Sequence, residues 1–301
     1  TVTNPVQLVA SGGSTAFQAA DNGTSVPVAI DPGMTAGDTA VTTAKSATVS
    51  ITGNFQSGED VLAFTNTSSS TFGDIAATYS AGTGVLTLTS GSGTATLAQW
   101  QAALRAVTYT DTLVTPNSAT RTISFKLVDK NDNTSNTITR TVTVTDTDQT
   151  PLLTTSGTTT GYVTGHPATA IDGSVAISDL DNTTQSSGTV SITGGLQGGD
   201  TLSFINTNSA LFGNIGASYN SATGVLTLTS AGGVATNAQW ANALSAVTFS
   251  SSSVVGGNRT ISFAVNDGTK TSVAGTDTVN VVAPPVVTTD SGSAAFVAGD
   301  N

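Results

Sequence analysis

The feature that most constrains this chain is an internal repeat with a period of about 140 residues. VSITG stands at 49–53 and again at 190–194, and GVLTLTS at 84–90 and again at 224–230. RTISF at 121–125 returns at 259–263, while DVLAF at 60–64 is matched by DTLSF at 200–204. Whatever fold the chain adopts must therefore close within one copy and join to the next. SGGSTAFQAADN at 11–22 comes back as SGSAAFVAGDN at 291–301, so the chain ends inside the opening of a third copy. The expected division is a first domain at 1–148, a second at 149–285, and a linker with the first strand of a truncated third repeat at 286–301.

Within each copy the apolar residues alternate. Leu86 and Leu88 share one face of a strand and Val85, Thr87 and Thr89 the other, because strand side chains repeat every second residue. Ile123, Phe125 and Leu127 form a second inward set, and Ile261, Phe263 and Val265 its copy. The stretches at 79–84 and 219–224 read as hairpin turns in which Gly84 and Gly224 supply positive φ. Many short strands between turn clusters predict a β-sandwich. One segment breaks the alternation. Leu97, Trp100 and Leu104 fall on one helical face, and Thr96 with Gln99 has the spacing of a capping box that Thr236 and Gln239 repeat. The expected class is all-β: two tandem Ig/cadherin-like sandwiches, each crossed by one short helix anchored in the core by Trp100 or Trp240.

Composition narrows the partners. With 19 Asp+Glu against 8 Lys+Arg the formal charge is −11, which argues against nucleic acid and anionic membranes and favours divalent cations. The absence of cysteine excludes disulfides, thiolate metal sites and a Cys nucleophile. No apolar run reaches the roughly 18 residues of a membrane span, and the first residues lack the regions of a signal peptide. His166 is the only histidine and has no counterpart in the first copy. No zinc spacing and no phosphate loop occur. The chain reads as a non-enzyme.

The acidic loops carry more. Asp179, Asp181 and Asn182 form a D-x-D-N loop; Asp129, Asn131 and Asp132 form a D-x-N-D loop whose counterpart holds Asp267; Asp146 and Asp148 sit at the seam between the copies. Alternating Asp and Asn in a loop can gather several of the six to eight oxygens that Ca²⁺ takes, though the same residues are also good turn formers. Asp60 and Asp200, at strand starts, are additional candidate ligands. If each sandwich takes the chain in at one end and releases it at the other, an even strand count would place Asp38, Asp146 and Asp148 opposite Asp200 and Asp267 at one junction.

In combined order, the segments at 199–204, 84–89, 96–104, 259–267 and 146–151 resemble the cadherin-like, Ig-like repeats of very long bacterial secreted adhesins, including the RTX type. The resemblance covers both full copies. It implies spacer sandwiches at the cell surface, stiffened by calcium between domains, in an adhesin or biofilm protein; related secreted adhering proteins imply calcium-dependent polysaccharide binding as an alternative. A lectin would need exposed aromatics, for which Tyr79, Tyr162 and Tyr219 are the candidates. A surface-layer or filament subunit is the other alternative, its truncated third copy completed by a neighbour. The second seam departs from the pattern, since Pro284 and Pro285 replace the Asp pair and only Asp290 lies nearby.

Overall fold

Alternating Thr/Ser and Val/Ile/Leu/Phe favours strands that bury one face, and the chain forms such strands almost throughout. The computed structural model describes residues 5–283 together with 285 and 292; otherwise, the beginning of the third copy lies outside the described residues. The chain divides into two units, Thr1–Gln149 and Thr150–Asn301.

In unit 1 the large sheet runs in the order Ser14–Gln18, Ile138–Thr145, Arg121–Asp129, Ala44–Gly53, Val85–Ser90, Ile75–Ser80. A smaller sheet orders Val28–Ala29, Thr108–Asp111, Asp60–Ala63, and Gln7–Val9 pairs with Thr35–Gly37. Neighbours in the large sheet are antiparallel except that Ser14–Gln18 runs parallel to Ile138–Thr145, the last strand of the unit. Unit 2 repeats the order with Thr159–Val163, Gly275–Val282, Gly257–Asn266, Ser187–Gly194, Val225–Ser230, Ile215–Asn220, and a smaller sheet of Thr169–Ala170, Thr248–Ser251, Asp200–Ser203. Two sheets closed over one core, with an early strand parallel to the last, make each unit an Ig/cadherin-like β-sandwich.

The inward sets anticipated from alternation are buried: Leu86 and Leu88, then Ile123, Phe125 and Leu127, and in unit 2 Ile261, Phe263 and Val265. The hairpin at 79–84 closes with the Gly84 N–H on the Ser80 carbonyl at 2.9 Å. Gly84 has φ 66°, and a β-carbon there would meet the Phe55 ring at 2.8 Å. Glycine is thus required twice over.

The helices Leu97–Arg105 and Asn237–Ser245 both carry the complete capping box. Trp100 and Trp240 are fully buried, their indole N–H groups donating to the carbonyls of Ala44 and Gln185, each at 2.8 Å. A second helical turn, unexpected from sequence, occurs in each unit at Ser69–Phe72 and Ser209–Phe212. Four residues are too few to show a helical period; a side-chain cap from Ser68 or Asn208 marks its start.

Strand direction defines two ends of each unit. Gln7 pairs with Gly37, and the Leu8 N–H donates to the Asn136 side chain at 2.8 Å, so the chain enters unit 1 beside the loops at 37–43 and 129–136. It leaves after Thr145, whose carbonyl accepts from Ala19 at the opposite end. Unit 2 is built alike: Leu152 pairs with Ser178 at the inlet, and Val281 pairs with Gly257 at the outlet. Inlet and outlet are separated by the length of the ten-residue strand Ala44–Gly53, about 30 Å at the usual rise per residue.

Candidate functional site

The acidic residues picked out from sequence fall into three groups. The first lies at the inlet ends. In unit 1 Asp129 is buried, and its oxygens accept from Asn131 N at 2.7 Å, Asn133 N at 2.9 Å and Asn133 Nδ2 at 2.8 Å. Burial pulls its pKa upward, but these bonds outweigh it and hold the carboxyl below its ordinary value. Asp132 is exposed, at φ 70°, and ion-pairs with Lys45. Asp38 closes its own turn, accepting from Ala40 N at 2.6 Å and Val41 N at 3.3 Å. The equivalent loops of unit 2 hold Asp179, which accepts from Gln185 Nε2 at 3.0 Å, with Asp181 beside it. Asp267 accepts from Thr269 N at 2.6 Å and Lys270 N at 2.8 Å. Burial, above all, raises the pKa of Asp179. Asp38 and Asp267 each keep a second carboxylate oxygen buried with no protein hydrogen-bond partner.

The second group is Asp60 and Asp200, at the outlet ends. Both are buried inside their own sandwich. Arg121 Nε lies 3.0 and 2.9 Å from the two Asp60 oxygens. The Asp60 carboxylate also accepts from Tyr109 OH at 2.6 Å and Gln56 N at 2.8 Å. Asp111 joins at 3.3 Å from Arg121 Nη2. In unit 2 Arg259 Nε is 2.7 Å from Asp200, which also accepts from Ser251 Oγ at 2.7 Å and Gln197 N at 2.8 Å. Burial pushes the carboxyl of Asp111 up, and burial with the Asp60 bond pushes the phenol of Tyr109 up. These two aspartates are structural partners of a core arginine. Sequence reading overlooked the arginines, yet a signal was present: Arg121 stands on the inward parity of Ile123 and Phe125, and Arg259 repeats it.

The third group is the seam. Asp146 is exposed and Asp148 half-buried. Around them residues 147–149 are stitched onto unit 1. Thr147 Oγ1 donates to Ala19 O at 2.6 Å, and the buried Gln149 accepts from Asn22 N at 2.6 Å and donates to Ala20 O and Val114 O at 3.2 and 3.1 Å.

Strand register within each unit separates the acids that an even strand count would bring to one junction. Asp129 is in register with Ala44, whereas Thr122 pairs with Gly53 at the other end of the same strands. Asp38 therefore sits at the inlet, a strand length from Asp146 and Asp148 at the outlet. Likewise Ser187 pairs with Asn266, beside Asp267, while Asp200 is tied to Arg259 at the far end of unit 2. The loop before the long strand lies at the opposite end of that strand from the one an even strand count would give it. Among the described residues no three His, Cys, Asp or Glu side chains come together as a metal-binding group.

The hydroxyls of the three candidate tyrosines are all held within their own units, and Tyr79 and Tyr219 are half-buried. Tyr162 is buried, its OH donating to His166 O at 2.8 Å, and Tyr79 and Tyr219 donate to the carbonyls of Asp60 and Asp200 at 2.6 and 3.0 Å. His166 is an exposed turn residue. No helix among the described residues is long and apolar enough to cross a membrane.

No family model matches the sequence, and no curated protein matches it. Among solved structures it is similar to the D00-D0 domain of intimin, at 15% identity and a TM-score of 0.25, over 92% of this chain and 99% of that one. It is also similar to the fibronectin(III)-like modules of Clostridium thermocellum CbhA, at 9% identity and a TM-score of 0.23, over 92% and 93%. A third likeness is to the extracellular cadherin domains 1-5 of protocadherin gamma B2, at 11% identity and a TM-score of 0.25, over 93% of this chain and 40% of that one. At such scores the likeness carries no functional argument; the class rests on this chain's own sheets.

Proposed function

We propose that the chain is an extender segment of an extracellular, surface-attached adhesin, made of sandwiches joined head to tail and stiffened by calcium at the linker that carries Asp146 and Asp148. The observation that carries the extender reading is the path of the chain: each unit takes it in at one end and releases it at the other, so every added copy adds length. The chemistry fits a spacer better than a catalyst, because Asp60, Asp111 and Asp200 are spent on core ion pairs with Arg121 and Arg259, and Asp129 on closing a turn.

The calcium part is supported by the donor set. Asp146 and Asp148 offer hard oxygens on a backbone already pinned by Gln149. At the inlet of unit 2, the Asp179 loop adjoins the strand pairing that receives the linker at Leu152, and Asp267 has an unused carboxylate oxygen. Asp146 and Asp148 would be ligands on the linker, and Asp179 and Asp267 candidates within unit 2, with backbone carbonyls and water completing each shell. Asp60 and Asp200 are excluded by their arginines, and Asp38 and Asp129–Asp132 belong to the other end of unit 1. The polysaccharide reading keeps only the half-buried Tyr79 and Tyr219 as aromatic surfaces.

The test compares scattering and thermal unfolding of the chain in calcium and in chelator, for the wild type and for Asp146→Asn with Asp148→Asn. Calcium should narrow the distribution of interdomain distances in the wild type and not in the double variant, and should raise the melting temperature more in the wild type. Interdomain distances that are the same in both media remove calcium from the linker and leave the extender.

A further inference from the structure

The two copies differ at one buried site in a way that points to a ligand. In unit 1 Asp31 is fully buried, accepts from Ser11 N at 3.2 Å and Ser11 Oγ at 2.6 Å, and faces the Arg140 guanidinium with Nε at 3.7 Å. Thr15, whose hydroxyl donates to Ile30 O, fixes the alignment, because Thr160 donates to Ile171 O in unit 2. By this alignment Asp172 replaces Asp31 and Ser156 replaces Ser11. Register identifies the third partner: Ile123 pairs with Arg140, and its counterpart Ile261 pairs with Asp277. An arginine has become an aspartate facing an aspartate.

Two more positions change in the same direction. Gly13, where a β-carbon would come within 3.9 Å of Arg140 Nη1, becomes Thr158. Gly33 becomes Ser174, whose hydroxyl and N–H donate to Asp172 at 2.9 and 2.8 Å. Where unit 1 has one carboxylate and one cation, unit 2 therefore has two carboxylates, Asp172 and Asp277, and gains the hydroxyls of Thr158 and Ser174 beside Ser156. Both acids are 3% exposed. Asp277 Oδ1 accepts from Thr158 N at 2.9 Å and Ser156 Oγ at 3.3 Å, whereas its Oδ2 is buried with no hydrogen-bond partner. Among the described residues no Lys or Arg pairs with either acid.

Two carboxylates facing one another out of water cannot both stay ionised without a counter-charge. From the lost guanidinium, the gained oxygens and the unpartnered Asp277 oxygen, we infer that unit 2 holds a hard divalent cation between Asp172 and Asp277, in the place that Arg140 fills in unit 1. One divalent charge restores the neutrality that the Asp31–Arg140 pair has. The donors are all oxygen, which selects calcium or magnesium over zinc or copper. The site lies inside unit 2, between the crossover at 156–158 and the strand Gly275–Val282, and shares no residue with the linker site.

The inference is tested on the full chain, stripped with chelator and titrated with calcium chloride or magnesium chloride. Binding is read by calorimetry, and its location by hydrogen exchange of peptides covering 156–160 and 275–282. In the wild type the cation should slow exchange in both peptides. Asp277→Asn should weaken that binding by about tenfold or more. Asp277→Arg with Thr158→Gly, which rebuilds the unit 1 arrangement, should be protected without any cation and show no response to it. Asp146→Asn with Asp148→Asn should leave the response intact, so failure at the linker and failure here are read separately. Exchange in the wild type that is indifferent to both cations, together with a protonated Asp277 carboxyl by carbon NMR at neutral pH, would mean that a shared proton occupies the site and would overturn the inference. A cation response in the double variant equal to the wild type's would overturn it as well.

Discussion

Arg121 is the cation that the buried Asp60 and Asp111 of unit 1 share, and its removal should be costly. Arg121→Met keeps length and apolar bulk but leaves Asp60 and Asp111 buried without their cation. Asp60 would retain the Tyr109 hydroxyl and the Gln56 N–H, and Asp111 the Leu113 N–H at 3.0 Å. Breaking a buried pair from one side costs about 3–5 kcal/mol, and each kcal/mol moves the midpoint of a unit this size by about 2–4 °C. Unit 1 should therefore melt on the order of 10 °C lower. Arg259→Met should sit at the low end of the range, because Ser251 stands where unit 1 has Asp111 and only Asp200 is stranded. The two units need separate readouts, since a two-domain chain need not unfold in one step. Hydrogen exchange by mass spectrometry along a urea series supplies them. Proton linkage adds a second test. Burial raises the folded-state pKa of Asp111 above its unfolded value, so the contribution of this group to stability is full below its unfolded pKa and is lost as pH rises through the folded one. Removing the arginine deepens that loss, and the deficit of Arg121→Met should shrink as pH is lowered from 7 toward about 4. A deficit below about 1 kcal/mol, or one that ignores pH, would show that the network behaves as an exposed pair and would refute the reasoning.

Three further outcomes are expected. Thr96→Ala, which removes the hydroxyl capping Gln99 N at 3.2 Å, should destabilise unit 1 by about 1 kcal/mol in urea unfolding, with the loss absent from unit 2. Gln149→Ala removes the side chain that accepts from the Asn22 N–H and donates to the carbonyls of Ala20, Val114 and Thr147, and should cost about 1–3 kcal/mol while speeding amide exchange at 19–22. Hydrogen bonds from Ser90 and then Ser92 lower the Asp74 pKa from 3.8 to about 2, so its contribution is present above pH 3.8 and fades as pH falls toward 2. Asp74→Asn copies Asn214, which accepts from Ser230 Oγ at 2.6 Å, and its acid-unfolding curve should converge on the wild type's across that window.

Much of the fold was legible because period-two alternation survives any tertiary context that buries one face of a strand. Leu86 and Leu88, or Ile123 and Phe125, could hardly be misread, and Thr96 with Gln99 announced a helix through its own hydrogen bonds. The ends of the sandwich were less legible. Which loop meets which depends on the direction of Ala44–Gly53 relative to its partners, a long-range pairing that leaves no local trace, and Asp38 was misplaced for that reason. Asp60 and Asp200 look like any acid at a strand start until Arg121 and Arg259 are noticed on apolar parity 59–61 residues further on. The acids were readable and their partners were too, but only as a pair.

Comparing the copies separates what the fold needs from what one unit uses. The outlet ion pair is kept in both units, while its surroundings drift from Tyr109 and Asp111 to Phe249 and Ser251. The carboxylate thus requires the arginine, and the remaining hydrogen bonds are exchangeable. The site at Asp31 follows the opposite rule: the acid is kept as Asp172 and its cation is lost, yet the neighbouring glycines are replaced by residues with hydroxyls. Drift alone would leave a buried carboxylate exposed to repulsion with nothing built around it. Three changes that together trade a guanidinium for oxygens describe a replacement of one counter-charge by another, so the cation of unit 2 should matter to that unit's stability as Arg140 does to unit 1. Arg140→Met should accordingly destabilise unit 1 whether or not calcium is present, whereas chelation should destabilise unit 2 through Asp172 and Asp277 and leave the Asp31 site unmoved.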